Sequence, residues 1–133
     1  MRLSNMADYA VVVMSAASRH CGSARVSATD LAAETGLALP TTQKLVSILT
    51  KAGLLRSARG TGGVIKLARP AAAISMADII EAVEGPIAMT ACCDSGKHDC
   101  AMEGHCHVQP HWAVVNGAVR GALAGVTLTS LTR

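Results

Sequence analysis

The sequence predicts a mainly α-helical fold with one small β-hairpin, and three observations carry that expectation. Three segments begin with a helix-capping residue and an acid three places on: Asn5 with Asp8, Ser27 with Asp30, and Ser75 with Asp78. Two short β-type stretches, LLRS and VIKLA, flank the glycine-rich, basic ARGTGG. Near the end, Trp112, Val115, Val119, Leu123 and Val126 step by three or four residues, as on one face of a long helix.

Taken in order, the first helix is expected over about residues 6–19, capped by Asn5. The second follows Ser27 and stops at Gly36, where glycine can take the left-handed conformation. A short link leads to a third helix with Pro40 in its first turn, ending at Gly53. Leu45, Ile48, Leu49 and Ala52 form its expected apolar stripe, leaving Thr41, Gln43, Lys44, Ser47 and Lys51 more exposed. Two short helices around a tight glycine turn, followed by a basic hairpin, make a winged helix-turn-helix. A fourth helix, over about residues 76–84, carries Ile79, Ile80 and Val83 inward and ends at Gly85–Pro86. The final helix begins near Pro110 and reads as a dimerisation helix along Trp112, Val115, Val119 and Leu123; the same stripe would also serve to cap its own core. The organisation read from this is a DNA-binding region at 1–85, a Cys-rich loop at 86–109, and a dimerisation helix and tail at 110–133, all in one domain without internal repeats.

Composition narrows the partners. The 133 residues contain no Phe, one Trp and one Tyr, so the core must be built from Ala, Val, Leu, Ile and Met. Residues 1–70 hold nine Lys/Arg against three acids, and residues 71–133 hold three against six. A basic half points to a polyanion, and the lack of aromatic rings disfavours single-stranded nucleic acid, whose readers stack bases. Double-stranded DNA is the expected partner. No apolar run approaches the roughly 20 residues of a membrane span, and the short stretch 9–17 is no convincing signal sequence, so a cytoplasmic location is expected. No phosphate loop or nucleophile–base set stands out, which argues against an enzyme.

On the recognition helix, Thr41, Thr42, Gln43 and Lys44 occupy the turns from which base edges are reached. Arg59, on a slim glycine-flanked tip, suits a narrow A·T minor groove. Lys51, Arg56 and Lys66 are placed to meet phosphates.

The cysteines number five, with Cys21 alone and Cys92, Cys93, Cys100 and Cys106 within residues 92–106, and this odd count favours metal or redox chemistry over a disulfide framework. Cys93, Cys100 and Cys106 place three soft thiolates on a glycine-containing loop. The wide gaps lack the close cysteine pair usual in zinc knuckles, but His98, His105, His107 and His111 leave a Cys3His zinc site open beside an iron–sulfur cluster.

The opening MRLSNMADYAVVVM, the wing RGTGGV and the three-cysteine loop followed by Trp112 together resemble the IscR/NsrR/RirA family of winged-helix iron–sulfur regulators. The similarity runs over essentially the whole chain, and the terminal VTLTSL resembles the segment that closes the family's dimer helix. The resemblance implies a homodimeric transcription regulator holding a [2Fe-2S] or [4Fe-4S] cluster. It is most like regulators of SUF cluster-assembly genes, with a nitric-oxide- or iron-sensing repressor as the alternative. It also implies that Cys93, Cys100 and Cys106 are the thiolate ligands. Where one branch of the family has a histidine ligand, three residues after the last cysteine, this chain has Gln109. In the nitric-oxide-sensing branch the fourth ligand is an aspartate of the first helix, and Asp8 stands there; His107 and His105 are the next candidates.

Overall fold

Ser4, not Asn5, opens the first helix. In the computed structural model, which describes residues 2–20, 25–58, 63–93 and 104–132, helix α1 spans Asn5–Arg19. The Ser4 hydroxyl accepts the Ala7 backbone N–H at 3.1 Å. The Ser4 backbone N–H in turn donates to Glu84 at 3.1 Å, so the acid that completes this cap comes from the far side of the chain. Asp8, displaced to the fourth helical position, stays exposed and does not reach back as a capping acid.

The other helix boundaries follow their local chemistry. Helix α2 (Ala28–Thr35) starts at a reciprocal Ser27–Asp30 capping box and ends at Gly36, whose φ of 78° is left-handed. Four residues later Pro40 sits in the first turn of α3 (Leu39–Lys51). Strands β1 (Leu55–Ala58) and β2 (Val64–Leu67) pair antiparallel, with Leu55 opposite Leu67 and Ala58 opposite Val64. The wing is fastened to the body: buried Ile65 donates its N–H to the Val26 carbonyl at 2.7 Å, just ahead of α2. A short 3-10 turn (Ala71–Ala73) leads to α4 (Met76–Glu84), again opened by a capping box, Ser75 with Asp78.

Helix α5 (Gln109–Ala124) is followed by a single-turn α6 (Leu128–Leu131). Between them the chain pairs briefly with the entrance to α4. Met76 N–H donates to Val126 at 2.9 Å and Leu128 N–H to Ile74 at 2.8 Å, around a Ser75–Thr127 bridge.

The core draws on α1, α2, α3, the wing, α4 and α6. Met14, Leu31, Leu45, Leu49, Leu55, Ile74, Ile79 and Leu128 are all fully buried. Helix α5 contributes no buried residue. The inward stripe of α3 also differs in phase from the expected one. Thr42, Leu45 and Leu49 are buried with Val46 packed beside them, while Ile48 is half-buried and Ala52 exposed.

The capping boxes set the acid sensitivity of the fold. Asp30 is held below the ordinary carboxylate range first by the backbone N–H of Ser27 and then by its hydroxyl; Asp78 is held there first by the backbone N–H of Ser75. A carboxyl whose pKa is lowered by folding stabilises the fold at neutral pH, and that contribution is lost as pH falls from about 3.9 through the folded value. Asp30→Asn together with Asp78→Asn is therefore expected to flatten the decline of the urea midpoint between about pH 5 and about pH 2. Ser75→Ala at neutral pH should cost about 1 kcal/mol with the denaturant slope unchanged.

Candidate functional site

Helix α3 turns one face to the body and another outward. Pro40, Gln43, Lys44, Ser47 and Lys51 are exposed and recur at three- and four-residue spacing, a continuous outer stripe on the second helix of the helix-turn-helix. Thr41 is half-buried at its edge. Thr42 corrects the sequence reading: it is fully buried, and its hydroxyl donates to the Ala38 carbonyl at 3.1 Å. A β-branched side chain with one hydroxyl is accommodated inside the helix pair because the preceding turn absorbs its single donor. Thr42 faces the core and cannot touch a base.

The wing extends the basic surface. Arg56 of β1 lies directly opposite Lys66 of β2, and both are exposed. Like charges across a strand pair repel, a cost that a polyanion between them would reverse. Among the described residues none of Lys44, Lys51, Arg56 and Lys66 belongs to an ion pair, whereas the nearby acids are taken up elsewhere. Glu34 binds Arg19 at 2.9 Å and also His20; His20 first, then Arg19, holds its carboxyl below the ordinary range. Asp30 serves the α2 cap. Among the described residues the cations of α3 and the wing are thus left without a paired acid. Arg59, expected at the wing tip, and Cys100, expected as a ligand, lie outside the described residues.

The thiols gather near the start of α5. Cys92 and Cys93 end a 3-10 turn (Ala91–Cys93), both half-buried. The Cys93 N–H donates to Thr90 at 3.0 Å, and the Thr90 hydroxyl donates to the Cys93 sulfur at 3.5 Å. Thr90 Oγ1 is also 3.0 Å from the Cys92 sulfur. Both cysteines line a cleft of about 410 Å3 with Gln109, Pro110, Ala113 and Asn116 of α5. Cys106, half-buried, lies three residues ahead of the same helix. Soft, unbridged thiols beside a cleft of this size suit a thiolate-held iron–sulfur group in chemistry and in room. His105, His107 and Asp8 are exposed, and among the described residues no three Cys, His, Asp or Glu side chains converge on one point.

Sequence reasoning missed the polar residues that seat this loop. Asn116 bonds the backbone of Ile87 and Met89, and Glu81 bonds Ile87 and Arg120. The visible signal was one amide in the otherwise small and apolar run AVVNGAV.

Along α5, Trp112 is 36% exposed and Val115 42%, while Val119 and Leu123 are half-buried. Val114, off the expected seam, is 72% exposed, so the uncovered apolar surface is broader than a single stripe.

A recognition helix with a free outer stripe and a basic wing define a winged helix-turn-helix DNA-binding protein. The family model for Rrf2, described as iron-dependent transcriptional regulator, matches residues 3–133, and the chain belongs to that family. It is 33% identical over its whole length to the HTH-type transcriptional regulator IscR of Photobacterium profundum, covering 76% of that protein. It is also 33% identical to the IscR of Vibrio cholerae over 98% of its length and 75% of that protein. Among solved structures, CymR, the global cysteine regulator of B. subtilis, superposes with a TM-score of 0.79 at 26% identity, covering 99% of this chain and 96% of that one. T. potens IscR superposes with a TM-score of 0.73 at 29% identity, over 98% and 85%. The protein is accordingly a transcriptional regulator and not an enzyme. None of its described helices is long and apolar enough to cross a membrane.

The burial of Thr42 separates stability from recognition. Thr42→Ala is expected to lower unfolding stability by about 1–2 kcal/mol through a lost methyl and hydroxyl. Base preference, measured by competition among operator variants, should stay as in the parent.

Proposed function

We propose that this chain is a homodimeric regulator whose binding to double-stranded DNA depends on an iron–sulfur cluster held by Cys93, Cys100 and Cys106. The observation that carries the reading is the position of Cys93 and Cys106. One lines a cleft against the first turns of α5 and the other stands three residues ahead of that helix, whose apolar surface lies uncovered. The family description, iron-dependent, favours iron over a zinc or purely thiol-based site. When bound, the cluster supplies a group whose gain or loss reports iron or cluster supply. The control of SUF assembly genes is the target we favour on the sequence resemblance; a nitric-oxide- or iron-sensing repressor is the second reading. For the fourth ligand we assign Asp8, ahead of His107 and His105. Ser4 and Glu84 complete the α1 cap, so the Asp8 carboxylate is not needed there.

In this reading residues 1–85 bind DNA, 86–109 hold the cluster and 110–133 form the dimer. The outer stripe of α3 enters the major groove with Thr41, Gln43 and Lys44 toward the bases. Lys51, Lys66 and Arg56 meet phosphate, and Arg59 the adjacent minor groove. Two copies pair along Trp112, Val115, Val119 and Leu123, which covers the exposed Trp112 and Val115 of α5.

Anaerobic purification with iron and sulfide analysis tests the cluster. Brown protein is expected, with Cys93→Ala, Cys100→Ala and Cys106→Ala losing iron and Cys21→Ala and Cys92→Ala retaining it. Colourless wild type carrying stoichiometric zinc would sink the proposal. Asp8→Ala should alter the visible spectrum while keeping the fold.

Dimer and DNA are tested together. Val119→Glu should bury an unpaired carboxylate and give monomers in sedimentation. Gln43→Ala should relax one base preference by about 1–3 kcal/mol, whereas Lys51→Ala should weaken all sequences alike and reduce the salt slope by about 1. A wild-type monomer at micromolar concentration contradicts the pairing.

A further inference from the structure

The segment leading into the cysteine loop is held by side chains of both neighbouring helices. Ile87 N–H donates to Glu81 of α4 at 2.9 Å. The Ile87 carbonyl accepts from Asn116 Nδ2 at 3.0 Å, and Met89 N–H donates to Asn116 Oδ1 at 2.7 Å. A carboxamide carries the same donor and acceptor as a peptide unit, so Asn116 engages residues 87 and 89 much as an adjacent strand would. One turn further along α5, Arg120 donates to the same Glu81 at 2.8 Å. Helix α4, the stem and α5 therefore close a ring of hydrogen bonds, one member of which is a charge-assisted pair.

The ring lies close to the thiols. Cys93 stands four positions beyond Met89, and the turn between them is gathered by the Cys93 N–H bond to Thr90 at 3.0 Å. On the other side Cys106 runs within three residues into α5, the helix that carries Asn116. Asn116 also lines the cleft beside Cys92 and Cys93. Asparagine is a poor residue for a helix interior, and nothing else on this helix bonds the stem backbone among the described residues.

We infer that Asn116 is a positioning residue that ties the Cys93 arm of the loop to α5 and so fixes the separation of the Cys93 and Cys106 thiols. The inference rests on the reading of those two cysteines as cluster ligands. It assigns no contact between Asn116 and the cluster. Losing the amide frees two backbone groups of the stem, and the Cys93 thiol is then no longer held in one place against α5.

The test uses the full chain, with Asn116→Ala and with Asn116→Asp, which keeps the acceptor for Met89 but loses the donor to Ile87. Val114→Ala, on the same helix but away from the stem, is the comparator. In anaerobically loaded protein, Asn116→Ala should change the visible circular dichroism and release iron to a chelator about fivefold faster, the rate equivalent of one net hydrogen bond. Asn116→Asp should fall between it and the wild type, and Val114→Ala should match the wild type. In cluster-free protein in a Cys92→Ala background, maleimide labelling of Cys93, followed by mass spectrometry, should also accelerate in Asn116→Ala. Unchanged dichroism, release and labelling in both Asn116 variants would overturn the inference. If wild type itself binds no iron and sulfide, the cluster reading fails, and the labelling arm still decides whether Asn116 restrains Cys93. If Asn116→Ala does not fold, Asn116→Asp carries the same comparison.

Discussion

The burial of one face of α1 organises the rest of the molecule. Ala7, Ala10, Val13, Met14, Ala16 and Ala17 are all inside, and α2, α3, β2, α4 and α6 pack against that helix. The chain has no phenylalanine, so close packing is reached by bringing backbones together over alanine rather than by filling space with rings. Leu45 and Leu49 lock α3 into this body, and Ile65 locks the wing to it. The outer stripe of α3 and the basic strands are therefore presented from one shared core.

Charge is distributed with the same economy. The acids of the first 70 residues are taken up in caps and ion pairs, as with Asp30 and Glu34, or sit on α1, as with Asp8. The cations of α3 and the wing have no such partners among the described residues. Arg56 facing Lys66 is an unfavourable pair in the isolated protein, one whose repulsion a phosphate between them would relieve.

Local chemistry was legible in the sequence and tertiary phase was not. Ser27 with Asp30, Ser75 with Asp78, Gly36 and Pro40 mark real boundaries because each satisfies backbone groups only a few residues away. Ser4 and Asn5 are both competent caps, and the choice falls to Ser4, whose backbone N–H finds Glu84, 80 residues on. Thr42 carries a methyl and a hydroxyl and suits either side of a helix; only the packing of Leu45 and Leu49 shows that it points inward. In the thiol loop, the cysteine spacing names candidate donors at Cys93 and Cys106. The seating of the loop by Asn116 depends on contacts 27 and 29 residues apart, which no periodicity encodes.

The attachment of α5 is lopsided. Asn116 and Arg120 hold its middle to the stem and α4, and beyond its end Val126 and Leu128 pair with the entrance of α4, with Leu128 fully buried. Its first turns, from Gln109 to Val115, have no comparable anchor among the described residues and no buried side chain. Among the described residues the helix is hydrogen-bonded to the rest of the body only from Asn116 onward. Trp112 stands ahead of that point and is partly exposed. The chain's single tryptophan therefore stands as an optical reporter on the less tethered end of this helix, with no second indole to blur the reading.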